Sequence, residues 1–233
     1  TPELRTGLLE DFTGIHCGYC PDGHAIMASI AAVNPGKVSM VGVHAGGYAV
    51  PTGNEPDFRT PEGTALAAYY AVNSYPSGVL NRHSFAGVSA LGRGAWESDM
   101  AQILAMPSPV NLGVASTYDG IFQQLTVHVQ LYYTADSPPV DDHISVLVTE
   151  NHIIGWQTDY ANGNHTDYDH LHVLRHYLTD IWGDTVSTTA AGTLVDRYYS
   201  YTVPPTWNMA NCEVTAFVGE YQSDVYQSRT VPA

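Results

Sequence analysis

Leu8-Leu9-Glu10-Asp11-Phe12-Thr13-Gly14-Ile15-His16-Cys17-Gly18-Tyr19-Cys20-Pro21 is the stretch on which the reading of this chain turns. Leu8 to Phe12 is a short apolar run that reads as a strand, and Thr13-Gly14 breaks it. From Gly18 to Ala32, small and apolar residues suit a helix. Cys17 and Cys20 therefore fall at a strand-to-helix junction, where the helix N-terminus lowers a thiol pKa. Thiol–disulfide exchange uses that placement. Pro21 falls in the first helical turn, where its missing N–H does little harm.

Working outward, strand-like and helix-like patterns alternate as far as Met106. Val38 to His44 reads as strand, Thr64 to Val72 as helix, Val79 to Asn81 as strand and Trp96 to Met106 as helix. Such alternation predicts an α/β arrangement on a central sheet. Gly46 to Pro61 has no periodicity and reads as an exposed loop near the cysteines. At Met106-Pro107-Ser108-Pro109 the character changes to β. Leu125 to Tyr133, Ile144 to Glu150, Leu194 to Val203 and Val214 to Glu220 alternate, with turns at Asp119-Gly120 and Ser137-Pro138-Pro139. Six or seven strands over about 120 residues predict an immunoglobulin-like sandwich. Between them, Ile153 to Asp184 reads as a polar, aromatic-rich insertion ending in a short helix, Leu171 to Trp182.

The charge balance narrows the partners. Twenty-three acids against 8 bases give a net −15, and Lys37 is the only lysine. Such a chain repels nucleic acid and anionic membrane surfaces. Hydrophobic residues at 44% allow a core, yet no apolar run approaches the ~18 residues of a membrane span. The 16 tyrosines and near-absence of lysine suit an exported protein. Thr1 in place of an initiator Met fits a processed chain whose secretory signal has been removed. The expected location is extracellular or at the cell surface, with the periplasm as the alternative. Three cysteines are too few for a disulfide scaffold.

Two further positions connect the cysteine pair to a known superfamily. Asp11 lies six residues before Cys17, where thioredoxin-like proteins place a buried carboxylate that helps move the proton of the second cysteine. Tyr75-Pro76, ahead of Ser77-Gly78-Val79-Leu80, takes the position of that fold's cis-proline. A narrower resemblance follows from Leu9 to Gly14, the cysteine pair with Pro21, Tyr75-Pro76-Ser77-Gly78 and Asn81-Arg82. It continues in His172-Val173-Leu174-Arg175 and the closing segments Val214 to Val218 and Val225 to Gln227. With these the chain resembles the 28 kDa outer-membrane-protein family of Bacteroidota. That resemblance implies an α/β thioredoxin-like domain, residues 1–108, followed by an all-β, immunoglobulin-like sandwich domain, 109–233, with the insertion around 153–184. It implies an exported or surface protein and no settled activity. Ile15-His16 stands where thioredoxins carry a Trp before the first cysteine. Gly18-Tyr19 replaces their Gly-Pro and fits a less reducing pair.

Two function classes follow. In the first, the chain is a thiol–disulfide oxidoreductase or isomerase acting on protein thiols or disulfides. Cys17 attacks, Cys20 resolves, Asp11 handles a proton and Pro76 shapes the groove that receives the substrate chain. His16 stabilises the thiolate when charged. In the second, Cys17–Cys20 is a closed disulfide and the fold a scaffold for a structural, fibre-forming or adhesive subunit. Neighbouring subunits in a homo-oligomer would then pair with the extended ends, Thr1 to Thr6 and Ser228 to Ala233.

Metal and cofactor chemistry find less support in the residues. Zinc on Cys17, Cys20 and His16 or His24 still needs a fourth ligand. Pro21 stands where haem attachment requires a histidine, and no cofactor is expected. His165, His170, His172 and His176 form a second cluster, in which His172 and His176 would share a helix face with Asp167 and Asp169 nearby. His172, His176 and Asp169 are thus the candidate metal ligands. Cys212, on an alternating strand, reads as a buried free thiol.

Overall fold

A computed structural model of the chain describes residues 1–138 and 140–233. Pro139 of the expected Ser137-Pro138-Pro139 turn lies outside the described residues. The first segment runs β1 (Gly7–Thr13), α1 (Cys20–Val33), β2 (Val38–His44), α2 (Pro61–Tyr69), β3 (Ser77–Leu80), β4 (Ala90–Gly92) and α3 (Trp96–Leu104). The remainder is β throughout. It comprises β5 (Val110–Asp119), β6 (Gln124–Tyr133), β7 (Asp142–Glu150), β8 (Ile153–Gln157), β9 (His165–His170), β10 (Val173–Tyr177), β11 (Asp184–Val186), β12 (Leu194–Thr202), β13 (Cys212–Glu220) and β14 (Val225–Pro232).

One mixed sheet runs through both segments in the order β14-β13-β7-β10-β2-β1-β3-β4, with β11 also paired to β7. β1 and β2 are parallel, whereas β3 is antiparallel to β1. A separate three-stranded sheet has the order β12-β6-β5, and β8 with β9 forms a hairpin.

Alternation along the strands assigns residues to layers. Leu125, Val127, Val129 and Leu131 of β6 face Ile144, Val146 and Val148 of β7 and Val214, Ala216 and Val218 of β13 in one core. Leu147 and Phe217, on the opposite face, join Leu8, Phe12, Val41, Leu66, Leu174 and Tyr177 in a second core. Leu9, on the reverse side of β1, packs with Met27, Ile30, Trp96 and Met100 beneath α1 and α3. Even-numbered β1 residues thus face α2 and odd-numbered ones face α1, which sends Glu10 and Asp11 to different environments.

Two expectations are corrected. Leu171 to Trp182 is not a helix: Val173–Tyr177 is strand β10, antiparallel to β7 and joined in parallel to β2 at Val173 and Gly42. Gly42 N–H donates to His172 O at 2.7 Å, so β10 satisfies an edge of β2 that would otherwise be buried without partners. The loop from Gly46 to Pro61 is exposed only in part, because Ala49 is 1% and Phe58 4% exposed. Phe58 packs with Ile15 and Val173. The chain ends are also engaged internally. Ser228 to Pro232 lie in β14, Gln227 Nε2 donates to Leu4 O at 2.8 Å, and Arg5 N–H donates to Met106 O at 2.9 Å.

Candidate functional site

β1 ends at Thr13, and Cys17 N–H donates to Gly14 O at 3.0 Å, turning the chain toward α1. Cys20 is the first residue of α1, and its N–H donates back to Cys17 O at 3.2 Å. The two cysteines form a disulfide with a Cα separation of 5.4 Å, within the ordinary range. Cys17 is 3% exposed and Cys20 fully buried.

The cover over this turn comes from the hairpin, more than 130 residues further along the chain. Thr158 N–H donates to Ile15 O at 2.8 Å, and Tyr160 N–H donates to Gly18 O at 3.0 Å. Gln157, itself buried, donates through Nε2 to Cys17 O at 3.0 Å and Gly14 O at 3.3 Å. The Tyr160 ring lies against Gly18, where an added Cβ would overlap it, and meets the Tyr19 ring edge-on at 5.1 Å. Asp159 shapes the tip by accepting from Ala161 and Asn162 N–H groups at 2.8 and 3.2 Å.

The other candidate residues surround the pair unequally. Pro76 is buried, follows a cis peptide bond and stands beside α1, since a Cβ on Gly23 would come within 2.9 Å of its Cγ. Asp11 is wholly buried, neither carboxyl oxygen has a hydrogen-bond partner among the described residues, and burial holds its pKa well above the usual carboxylate range. His24 Nε2 is 3.7 Å from Asp11 Oδ2 and 2.9 Å from Thr13 Oγ1, while its Nδ1 lies 2.8 Å from the Tyr168 hydroxyl of β9. His16 Nε2 lies 3.0 Å from Glu55 Oε2.

A protonated Asp11 has a measurable signature. The folded state keeps a proton that the unfolded chain releases above pH ~3.9. Stability from this group is therefore lost as pH rises past that value toward the folded-state pKa, by up to about 1.4 kcal/mol per pH unit. Asp11→Asn has no such loss, so its stability relative to wild type should improve as pH rises above about 4, until the folded-state pKa of Asp11 is passed. Urea midpoints that shift in parallel for the two proteins would refute a protonated Asp11.

The metal candidates are dispersed. With β10 a strand, His172 and His176 share no helix face. His172 Nδ1 lies 3.6 Å from Glu213, His176 Nδ1 2.9 Å from Glu62, and Asp169 2.9 Å from His152. Among the described residues no group of three or more His, Cys, Asp or Glu is arranged to hold a metal ion. The sulfurs of Cys17 and Cys20 are committed to each other. Cys212 is a buried free thiol whose pKa is pushed up to about 12 by burial.

A model described as "Outer membrane protein Omp28" matches residues 63–231. This chain belongs to the Omp28 family. The matched residues include Tyr75-Pro76-Ser77-Gly78 and His172 to Arg175, on which the family resemblance partly rests, and begin after the cysteine pair. No curated protein matches the chain. Among solved structures, HBP35 of Porphyromonas gingivalis superposes over 99% of this chain and 76% of its own, at TM-score 0.78 and 18% identity. A structural-genomics protein of Agrobacterium tumefaciens superposes over 99% of this chain and 96% of its own, at TM-score 0.57 and 15% identity. A domain of the outer membrane lipoprotein Omp28 from Porphyromonas gingivalis overlaps 53% of this chain and 87% of its own at TM-score 0.37 and 22% identity, too low a score to argue from. At these identities the likenesses concern the fold. No helix among the described residues of this Omp28-family chain is long and apolar enough to cross a membrane.

The hairpin residues Gln157, Thr158, Tyr160 and Tyr168 escaped the sequence reading, and His24 entered it only as a possible zinc ligand. One local signal was available. Asn162-Gly163 between β-prone runs marks a hairpin turn, and Gly163 takes a φ of 88°. Nothing local identifies what the hairpin covers.

Proposed function

We propose that this Omp28-family chain is an exported, surface-associated protein whose first segment is a thioredoxin-like module for thiol–disulfide exchange, held latent by the β8–β9 hairpin. The sheet order β2-β1-β3-β4, with β1 and β2 parallel and α1 and α3 on one face, supports the thioredoxin-like reading. The packing of β12-β6-β5 onto β7 and β13 supports an immunoglobulin-like second module, residues 109–233, that shares its sheet with the first. The family's description supports the outer-membrane or surface location.

The observation that carries the chemistry is a redox-capable pair at the start of α1, backed by the buried, unpartnered carboxyl of Asp11, whose pKa burial raises. In the reduced module, Cys17 thiolate attacks a substrate disulfide and forms a mixed disulfide, releasing one substrate thiolate. Asp11, once it has given up its own proton, takes the proton of Cys20, and the Cys20 thiolate attacks the Cys17 sulfur and expels the second substrate thiolate, which takes up a proton from water. Two electrons pass to the substrate and Cys17–Cys20 re-forms; a partner dithiol must reduce it again. Pro76, beside Gly23, helps form the wall on which the substrate chain lies.

The test is reduction of insulin by dithiothreitol, for wild type and Cys17→Ser, with Tyr160→Gly included to open the cover. Turnover by Tyr160→Gly above that of Cys17→Ser supports a latent exchanger. Equal, background rates in all three favour the second reading, a static disulfide in a structural subunit, to which the burial of Cys17 and Cys20 also lends weight.

A further inference from the structure

We propose that the β8–β9 hairpin is an acid-released cover, held shut at neutral pH by a cluster of uncharged histidines and lifted from Cys17–Cys20 when they take up protons. As regulation of the disulfide, this rests on the exchange reading above; as a motion of the hairpin, it rests on the packing and burial of the rings beneath it.

Three imidazoles meet where the hairpin lies on α1 and β2, around a cavity of about 80 Å³ that His24, His44, Tyr168, His170 and His172 help to line. His44, on β2, is 3% exposed, and neither ring nitrogen has a hydrogen-bond partner among the described residues. Its ring packs 5.6 Å from His170 of the hairpin and 4.9 Å from Phe58. His170 is 2% exposed and donates from Nε2 to Trp156 O at 3.1 Å within the hairpin. His24 joins α1 to the hairpin through Tyr168, as described above. The cover is thus seated on imidazoles from β2, α1 and the hairpin itself.

The neighbouring acids are engaged with other groups and offset the burial of these rings only in part. Asp11, which faces His24, has its pKa raised by burial, which disfavours its charged form. Asp57, near His44, is paired through both oxygens with Arg59, at 2.8 and 2.7 Å. Asp169, beside His170, is 2.9 Å from His152. Glu213, behind His172, accepts from Asn151 at 2.9 Å and lies 3.6 Å from His172 itself. A proton added to His44 or His170 is therefore a buried charge without a free partner, which is costly.

The sign follows from burial. Desolvation depresses all three imidazoles, His170 to about 4, and neighbouring rings add to it at the other two, with His24 at about 3 and His44 well below its ordinary value. With the hairpin lifted they regain the ordinary value of ~6.5. The open form thus binds protons first as pH falls below ~6.5, and its population grows by up to about tenfold per pH unit for each imidazole freed. Tyr168 stays neutral over this range because burial raises its phenol to about 12.

The experiment follows reduction of Cys17–Cys20 by tris(2-carboxyethyl)phosphine from about pH 7.5 to pH 5, read by maleimide labelling and divided by the rate for oxidised glutathione at each pH. The ratio should climb at least about tenfold over this range while near-UV circular dichroism stays native. His44→Phe, which fills the same slot without a titrating ring, should flatten the climb, and so should His170→Gln, which keeps a donor for Trp156 O. A ratio that stays flat in wild type overturns the proposal. So does a climb that coincides with loss of the native signal, or one that both variants retain. A flat wild-type ratio with fast neutral reduction of Tyr160→Gly keeps the cover and removes the acid release. A climbing ratio with no insulin turnover in any variant keeps the acid release and removes the exchange reading.

Discussion

Arg82→Met should destabilise the fold by about 3–5 kcal/mol, the loss expected when one partner of a buried ion pair is removed. Glu10 is fully buried on β1 and Arg82 is 4% exposed. Arg82 donates from Nε to Glu10 Oε2 at 3.2 Å and from Nη2 to Oε1 at 3.0 Å, and Tyr177 donates its hydroxyl to the same oxygen at 3.2 Å. A further donor, Nη1, reaches Ile181 O at 2.9 Å, and the guanidinium lies over the Phe217 and Trp182 rings at 4.8 and 5.1 Å. The pair therefore ties β1 to β10 and β13. Methionine would keep most of the apolar contact but abandon the Glu10 carboxylate in the core. The double variant Glu10→Leu/Arg82→Met removes both charges and should recover most of the loss, since a buried pair is often no better than apolar residues of similar volume. Urea unfolding should show a lower midpoint at unchanged slope for the single variant. Equal destabilisation of single and double variants would mean that packing, not the orphaned charge, sets the loss.

Cys17→Ser should abolish exchange, whereas Cys20→Ser should convert the module into a trap. Without Cys20 the mixed disulfide formed by Cys17 has no internal thiol to resolve it, so bound substrate accumulates and appears as a reducible adduct on non-reducing gels. Cys212 offers no rescue, because its thiol is buried and its pKa is pushed up to about 12. The effect on stability is separable from the effect on chemistry. The Cys17–Cys20 loop is so short that its closure is worth only about 2 kcal/mol in the chain-entropy account. Complete loss of exchange in a variant that remains folded therefore reports on mechanism. Both variants should be made alongside Tyr160→Gly, so that the cover does not mask the difference. Adducts that form equally with Cys17→Ser would point to Cys20 as the attacking thiol and reverse the assigned roles.

The two carboxylates of β1 illustrate how far a local reading goes. Glu10 and Asp11 are adjacent, and period-two alternation alone sends them to opposite faces of the sheet. Their fates diverge because only the α2 side supplies a cation. Arg82 reaches Glu10 from the turn after β3, while Asp11 meets His24 at 3.7 Å and burial raises its pKa. The resemblance to thioredoxin-like proteins picks out Asp11 by its distance from Cys17, but the raised pKa of that carboxyl arises from burial beneath α1. The histidines show the converse. Four of them cluster in sequence between 165 and 176, yet His172 and His176 separate to different acids, while His170 joins His24 and His44 from distant elements.

By itself the sequence determined the strand, turn and helix that set Cys17 and Cys20 together, the alternating cores of β6, β7 and β13, and the family. These depend on local geometry, on side-chain periodicity and on motifs that survive in the order of residues. Tertiary structure decided that Val173–Tyr177 is a strand, that one sheet joins the two segments, and that a hairpin closes over the disulfide. Helix preference amounts to a few tenths of a kcal/mol per residue. An unsatisfied, buried backbone group costs about 1–3 kcal/mol, so the open edge of β2 outweighs the local preference of residues 171–182. The same rule places Gln157 over Cys17: its partners are backbone carbonyls at Gly14 and Cys17, and no feature of residues 153–170 specifies a carbonyl more than 130 positions away.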